Sequence, residues 1–116
     1  MTRSADFQRV YRQGKSEAGR HAVLYYFERV SESGDEAPRL GVSVSKKVGN
    51  AVVRNQVKRV LKEVFRGLQD RLAPNYDYVI IARHGLPDFL EKSRHEDVVK
   101  MIDELFRRAN LIQEKG

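Results

Sequence analysis

The stretch KKVGNAVVRNQVKRVLKEVFR, residues 46–66, sets Lys46, Lys47, Arg54, Lys58, Arg59, Lys62 and Arg66 against a single acid, Glu63. Ammonium and guanidinium groups at that density suit one task above others, the neutralisation of a polyanion such as a phosphate backbone. The whole chain has 116 residues, 22 of them basic and 16 acidic, for a formal net charge of +6. Outside this stretch the two signs balance, so one segment owns the entire excess. Asn55, next to Arg54, adds an amide with one donor and one acceptor side, suited to a base edge or to a bridge between phosphate and backbone. Lys46 and Lys47 fall where a strand gives way to a helix. Gly49 permits a close turn there, aiming main-chain N–H groups at an anion.

The residues that hydrolytic chemistry would need are scattered. Without cysteine there are no disulfides, thiolate zinc sites or thiol nucleophiles. His21, His84 and His95 lie on separate elements without ligand-like spacing. Asp35 and Glu36 sit in a turn, and Glu96 and Asp97 suit the N-terminus of a helix. There is no Gly-rich phosphate loop. No catalytic residue and no metal site are expected in the protein itself.

The elements that position the cations follow from periodicity. On a helix from about Ala51, Val53, Val57, Val60, Leu61, Val64 and Leu68 fall within one arc of about 100°. Asn55, Lys58, Arg59, Lys62 and Arg66 fall opposite, with Arg54 at the border. One face packs and the other points away. SADFQRVYRQG reads as an opening helix capped by Ser4, with Phe7, Val10 and Tyr11 on one stripe and Gly14 as the stop. HAVLYYFERV (21–30) and RLGVSVSKK (39–47) read as strands joined by the polar turn 31–38. In the first, Val23, Tyr25 and Phe27 share one face, and Ala22, Leu24 and Tyr26 the other. YDYVIIAR (76–83) reads as a strand buried on both sides, after a break at APN. GLPD is read as a further break. Ser93 and Glu96 then form a capping box for a helix to about Leu111, with Ile102, Leu105, Phe106 and Ala109 inward. The fold class expected is α+β, one domain over 1–116. It is a single sheet of about four strands with three helices, in the order α-β-β-β-α-β-α. No apolar run approaches the roughly 20 residues of a membrane span, and MTRSADFQRVYRQG has no signal-peptide core. A cytoplasmic protein is expected.

A cationic helix face can simply be solvated. Here the acids that usually interleave as i,i+4 partners are nearly absent, so the cations repel one another until something negative arrives. Membrane binding is disfavoured because the apolar face lacks a bulky aromatic border and is needed by the sheet. Duplex DNA is disfavoured because the helix has no helix-turn-helix partner.

SKKVGNAVVRNQVKRVLKEVFR resembles the signature helix of the bacterial ribonuclease P protein family. DFQRVYRQGKS resembles that family's opening segment, LGVSVSKKVGNAVVRNQVKR its central block and DYVIIAR its last strand. The resemblance implies the small basic subunit of a ribonucleoprotein that removes the 5′ leader from precursor tRNA. The RNA subunit would perform the hydrolysis, with Mg²⁺ held mainly by RNA, and one protein would serve each RNA. It implies RNA contacts from Lys46, Lys47, Asn50, Arg54, Asn55, Lys58, Arg59, Lys62 and Arg66. It also implies a cleft for the single-stranded leader, with Phe7, Tyr11 and Tyr25 as the matching aromatics and stacking as the grip. A left-handed crossover between strands 40–45 and 77–83 belongs to the same inference. The chain departs from the family where Arg-Asn-Arg is common, having Gln56 in the third position. Only Arg3 precedes the opening helix, where many members have a longer basic tail. A ribosomal or ribosome-assembly RNA binder, with no role in cleavage, is the alternative on fold grounds.

Overall fold

The computed structural model describes residues 4–29 and 37–112, with side chains from Gln8 onward. The turn residues 31–36, with Asp35 and Glu36, lie outside it, as do the side chains of Ser4 and Phe7. The elements are α1 (Ser4–Gln13), β1 (Lys15–Ala18), β2 (Ala22–Glu28), β3 (Arg39–Ser43), α2 (Ala51–Leu68), a 3-10 turn (Gln69–Arg71), β4 (Tyr76–Ala82), α3 (Leu86–Lys92) and α4 (His95–Arg108).

The sheet runs β1-β2-β4-β3. β2 lies antiparallel to both β1 and β4, with Leu24 opposite Ile80 and Tyr25 opposite Val79. β3 lies parallel to β4, with Val42 opposite Ile80, so α2 is the crossover between them. β4 is therefore an inner strand, and its run Asp77–Ile80 is buried throughout. Period-two alternation then divides the sheet. Leu24, Tyr78 and Ile80 face a core completed by Val57, Leu61, Val64, Phe65 and Leu68 of α2 and by Ile102, Leu105 and Phe106 of α4. Burying each such side chain is worth about 1.5–3 kcal/mol. α1 packs on β2 and β4; its Val10 is fully buried, as is Val79, and both stand outside the main core. α1 therefore covers the other face, the one bearing Val23, Tyr25 and Phe27.

Gly14 ends α1 for a steric reason. A Cβ there would stand 2.4 Å from the Val10 carbonyl oxygen and 2.5 Å from that of Tyr26.

The sequence reading is corrected at several joints. GLPD is not merely a break: Pro87 sits in the first turn of α3, where its missing N–H costs nothing. Among the described residues the α-helices are therefore four. Ser93 does not cap α4. Its backbone is extended at the end of α3, and the helix is instead closed by Asp97, whose carboxylate accepts the Arg94 N–H at 3.1 Å. α4 stops at Arg108, short of Leu111, because Asn110 adopts a left-handed φ of 59°. The Leu111 N–H then reaches the Phe106 carbonyl at 2.9 Å and the Asn110 N–H the Arg107 carbonyl at 3.0 Å, a Schellman closure. The strand expected over 39–47 ends at Ser43, which leaves Lys46 and Lys47 in a turn.

Candidate nucleic-acid interface

α2 begins where the sequence places it, and Asn50 is its N-cap: the Asn50 Oδ1 accepts the Val53 N–H at 2.9 Å. That employs the carbonyl side of the amide and leaves its NH₂ to face outward. Gly49 is required by close approach, since a Cβ would lie 2.8 Å from Val53 Cγ1. The first turn of α2 contains no acid, so the partial positive charge of its N-terminus meets no carboxylate there.

Lys46, Lys47, Asn50, Asn55, Arg59, Lys62 and Arg66 are exposed, while Arg54 and Lys58 are half-buried. Among the described residues no ion pair involves any of the seven cations. Arg54 lies at the border between the faces. Its Nε is shielded from solvent and has no hydrogen-bond partner among the described residues.

The other face of the sheet carries the aromatic pair. Tyr11 from α1 meets Tyr25 from β2 edge to face, with ring centroids 5.2 Å apart. Tyr11 shares a side-chain hydrogen bond with Ser43 of β3, and burial raises its pKa above that of a free phenol. It nevertheless remains 39% exposed. α1, β2 and β3 thus bring Tyr11, Tyr25 and Ser43 to one open surface. Phe7 lies on the same helix, its side chain outside the described residues.

Sequence reasoning missed the buried acid Asp77. Arg39 donates to both its oxygens at 2.7 Å, and Arg29 Nε stands 3.2 Å from Oδ1. The three residues are distant in sequence, so only the alternation of β4 hinted that Asp77 shares a face with Val79. His21 stacks on Phe89 with ring centroids 4.3 Å apart. Burial, then the neighbouring Arg20, lowers its pKa. His84 and His95 lie elsewhere, in a turn and at the start of α4.

The family model for Ribonuclease P matches residues 1–110. The chain belongs to the ribonuclease P protein family. A ribonuclease P protein component of Clostridioides difficile is 37% identical over 112 residues, covering 96% of this chain and 91% of the relative. The Staphylococcus aureus RNase P protein superposes with a TM-score of 0.81 at 33% identity, over 97% of this chain and 96% of that one. The Thermotoga maritima RNase P protein gives 0.78 at 29% identity, over 89% and 90% of the two chains. Family membership decides between the two readings that the basic helix alone left open. The chain is a ribonuclease P protein component, part of a tRNA-processing endoribonuclease, and not a ribosomal or assembly-type binder. Among the described residues no helix is long and apolar enough to cross a membrane.

Proposed function

We propose that the outer face of α2, with the turn before it, docks on the RNase P RNA, and that the α1 face of the sheet holds the 5′ leader of precursor tRNA. The observation that carries the reading is the placement of cations without an ion pair among the described residues on one surface, and of the Tyr11–Tyr25 pair, with Tyr11 exposed, on another. Lys46, Lys47, Arg54, Lys58, Arg59, Lys62 and Arg66 supply phosphate contacts without base specificity, and Asn50 and Asn55 supply amides beside them. Tyr11 and Tyr25, with Phe7 on the same helix, offer rings on which unpaired bases stack.

Chemistry belongs to the RNA subunit in this proposal. Among the described residues no three His, Asp or Glu side chains are grouped as a metal ion would need, and a cationic face is a poor host for a divalent cation. The Mg²⁺ ions are therefore assigned to RNA phosphates. This chain's part is to hold the precursor, one protein per RNA, in the cytoplasm.

The test compares affinities of the holoenzyme for precursor and mature tRNA. Replacing Tyr11 or Tyr25 with Ala should weaken precursor binding by about 1–3 kcal/mol each. Mature tRNA should bind both variants as it binds the parent, and assembly with the RNA should survive. An unchanged ratio of the two affinities would make these tyrosines packing residues and put the leader elsewhere.

A further inference from the structure

Only two large apolar side chains are strongly exposed among the described residues, Tyr11 and Val52. Tyr11 is used by the proposed leader surface. Val52 is 66% exposed on the first turn of α2, amid the cations, and no part of the reading above explains it. It stands one helical turn before Gln56, and Gln56 one turn before Val60. Gln56 and Val60 line a cleft of about 390 Å³ between α2 and α3, a volume within the range of about 300–1,000 Å³ typical of small-molecule sites. Val53, Val60 and Leu90 give it an apolar lining; Gln56, Arg59 and Glu91 are its polar groups.

We infer that this cleft takes one unstacked nucleobase, an adenine or a cytosine, from the RNA that docks on α2. The inference rests on the proposed docking of α2. The cleft is continuous with the cationic face, so a strand tracking those cations passes its mouth. Its lining suits the faces of a flat apolar ring. Glu91 repels a phosphate but accepts from an exocyclic amino group. The Gln56 amide offers a donor beside an acceptor, which matches the amino and ring-nitrogen edge of adenine or cytosine. Val52, beside the entrance, packs against the adjoining sugar.

The experiment measures binding of the cognate RNase P RNA to the full chain across salt concentrations, with dimethyl sulfate probing of the complexes. Gln56→Ala removes an exposed amide and leaves the fold alone; Val60→Phe fills the cleft, its folding checked by thermal melting. Each should weaken binding three- to thirty-fold at an unchanged salt slope. One adenine or cytosine protected by the parent should become methylated in both complexes. Equal affinity with an identical methylation pattern overturns the inference, as does an occupant of the cleft other than RNA, which would leave RNA affinity unmoved. A slope reduced by about one unit in Gln56→Ala also overturns it, because that marks a phosphate contact. The triple variant Lys58→Ala, Lys62→Ala, Arg66→Ala leaves the cleft untouched and serves as the control. If its slope equals the parent's, the docking of α2 itself has failed. If its slope falls while the cleft variants bind normally, only the base pocket has.

Discussion

Arg39 places both prongs of its guanidinium on Asp77, at 2.7 Å each, whereas Arg54 has a shielded Nε and no acceptor for it among the described residues. The head groups are chemically identical. Around Asp77 the sheet supplies a fully buried carboxylate and two arginines converge on it. Along α2 the only acid is Glu63, and among the described residues no carboxylate pairs with its cations. The tyrosines at positions 78 and 11 differ in burial instead: Tyr78 is fully buried and donates to the Ala73 carbonyl at 2.8 Å, while Tyr11, hydrogen-bonded to Ser43, is 39% exposed. A cation paired within its own chain serves the fold, and one that meets no acid there is available to a partner.

The largest effect should come from breaking the completed site. Asp77→Ala strands Arg29 and Arg39 beside a hole, and truncating one member of a buried pair costs about 3–5 kcal/mol. Arg39 keeps some exposure, so a loss near 3 kcal/mol in urea unfolding is expected. Unfolding at the parent's urea concentration would show that the clamp is not structural. The triple variant Lys58→Ala, Lys62→Ala, Arg66→Ala should do the reverse. Its salt slope for RNA binding should fall by about 3 units, with stability within about 0.5 kcal/mol of the parent. Lower stability at an unchanged slope would erase the distinction between the two regions.

Asn50 sharpens the comparison because it stands in both classes, as cap and as candidate contact. Asn50→Ala should cost about 1 kcal/mol of stability, whereas Asn50→Asp keeps the cap. If the residue also faces phosphate, the Asp variant should bind RNA more weakly than the Ala variant despite its better fold. The smallest effect is at high pH. Burial, then the neighbouring Tyr76, raises the pKa of Tyr78 above its ordinary value of 10.0. Its contribution is therefore fully present below pH 10 and is lost above it, as the unfolded phenol ionises while the buried one keeps its proton. Tyr78→Phe should lose about 1 kcal/mol at neutral pH and decline less steeply above pH 10. Parallel decline in both proteins would assign the alkaline loss to other groups.

What the sequence disclosed follows the same division. α2 was legible with both its faces because a long amphipathic helix repeats its signal over several turns. β4 was legible because an inner strand is apolar on both sides. The cations of 46–66 lie on the turn before α2 and along that helix, and Tyr11 and Tyr25 meet on the other face of the sheet. α3 was hidden because Pro87 punctuates and initiates helices alike, and seven residues give too little periodicity to decide. β1 was hidden because KSEA is an edge strand whose side chains are mostly exposed, so no alternation betrays it. The cap of α4 was misplaced by one residue because Ser93 with Glu96 and Arg94 with Asp97 have the same spacing, and only tertiary packing selects between them. The Asp77 clamp was invisible because its arginines come from β3 and from the residue that follows β2.

The position of β4 has a consequence for how the chain acquires its shape. β2 and β3 do not pair with each other; β4, which follows α2 in the chain, lies between them and pairs with both. During synthesis from the N-terminus, α2 is complete while the strand that will organise its packing surface is still unmade. Most of the sheet's pairing is thus long-range, with loop-closure entropy to overcome before any of it is rewarded. A ribosome-bound chain arrested before Tyr76 should have no sheet beyond the β1–β2 hairpin, and the fold should close in one cooperative step once Tyr76–Ala82 emerges.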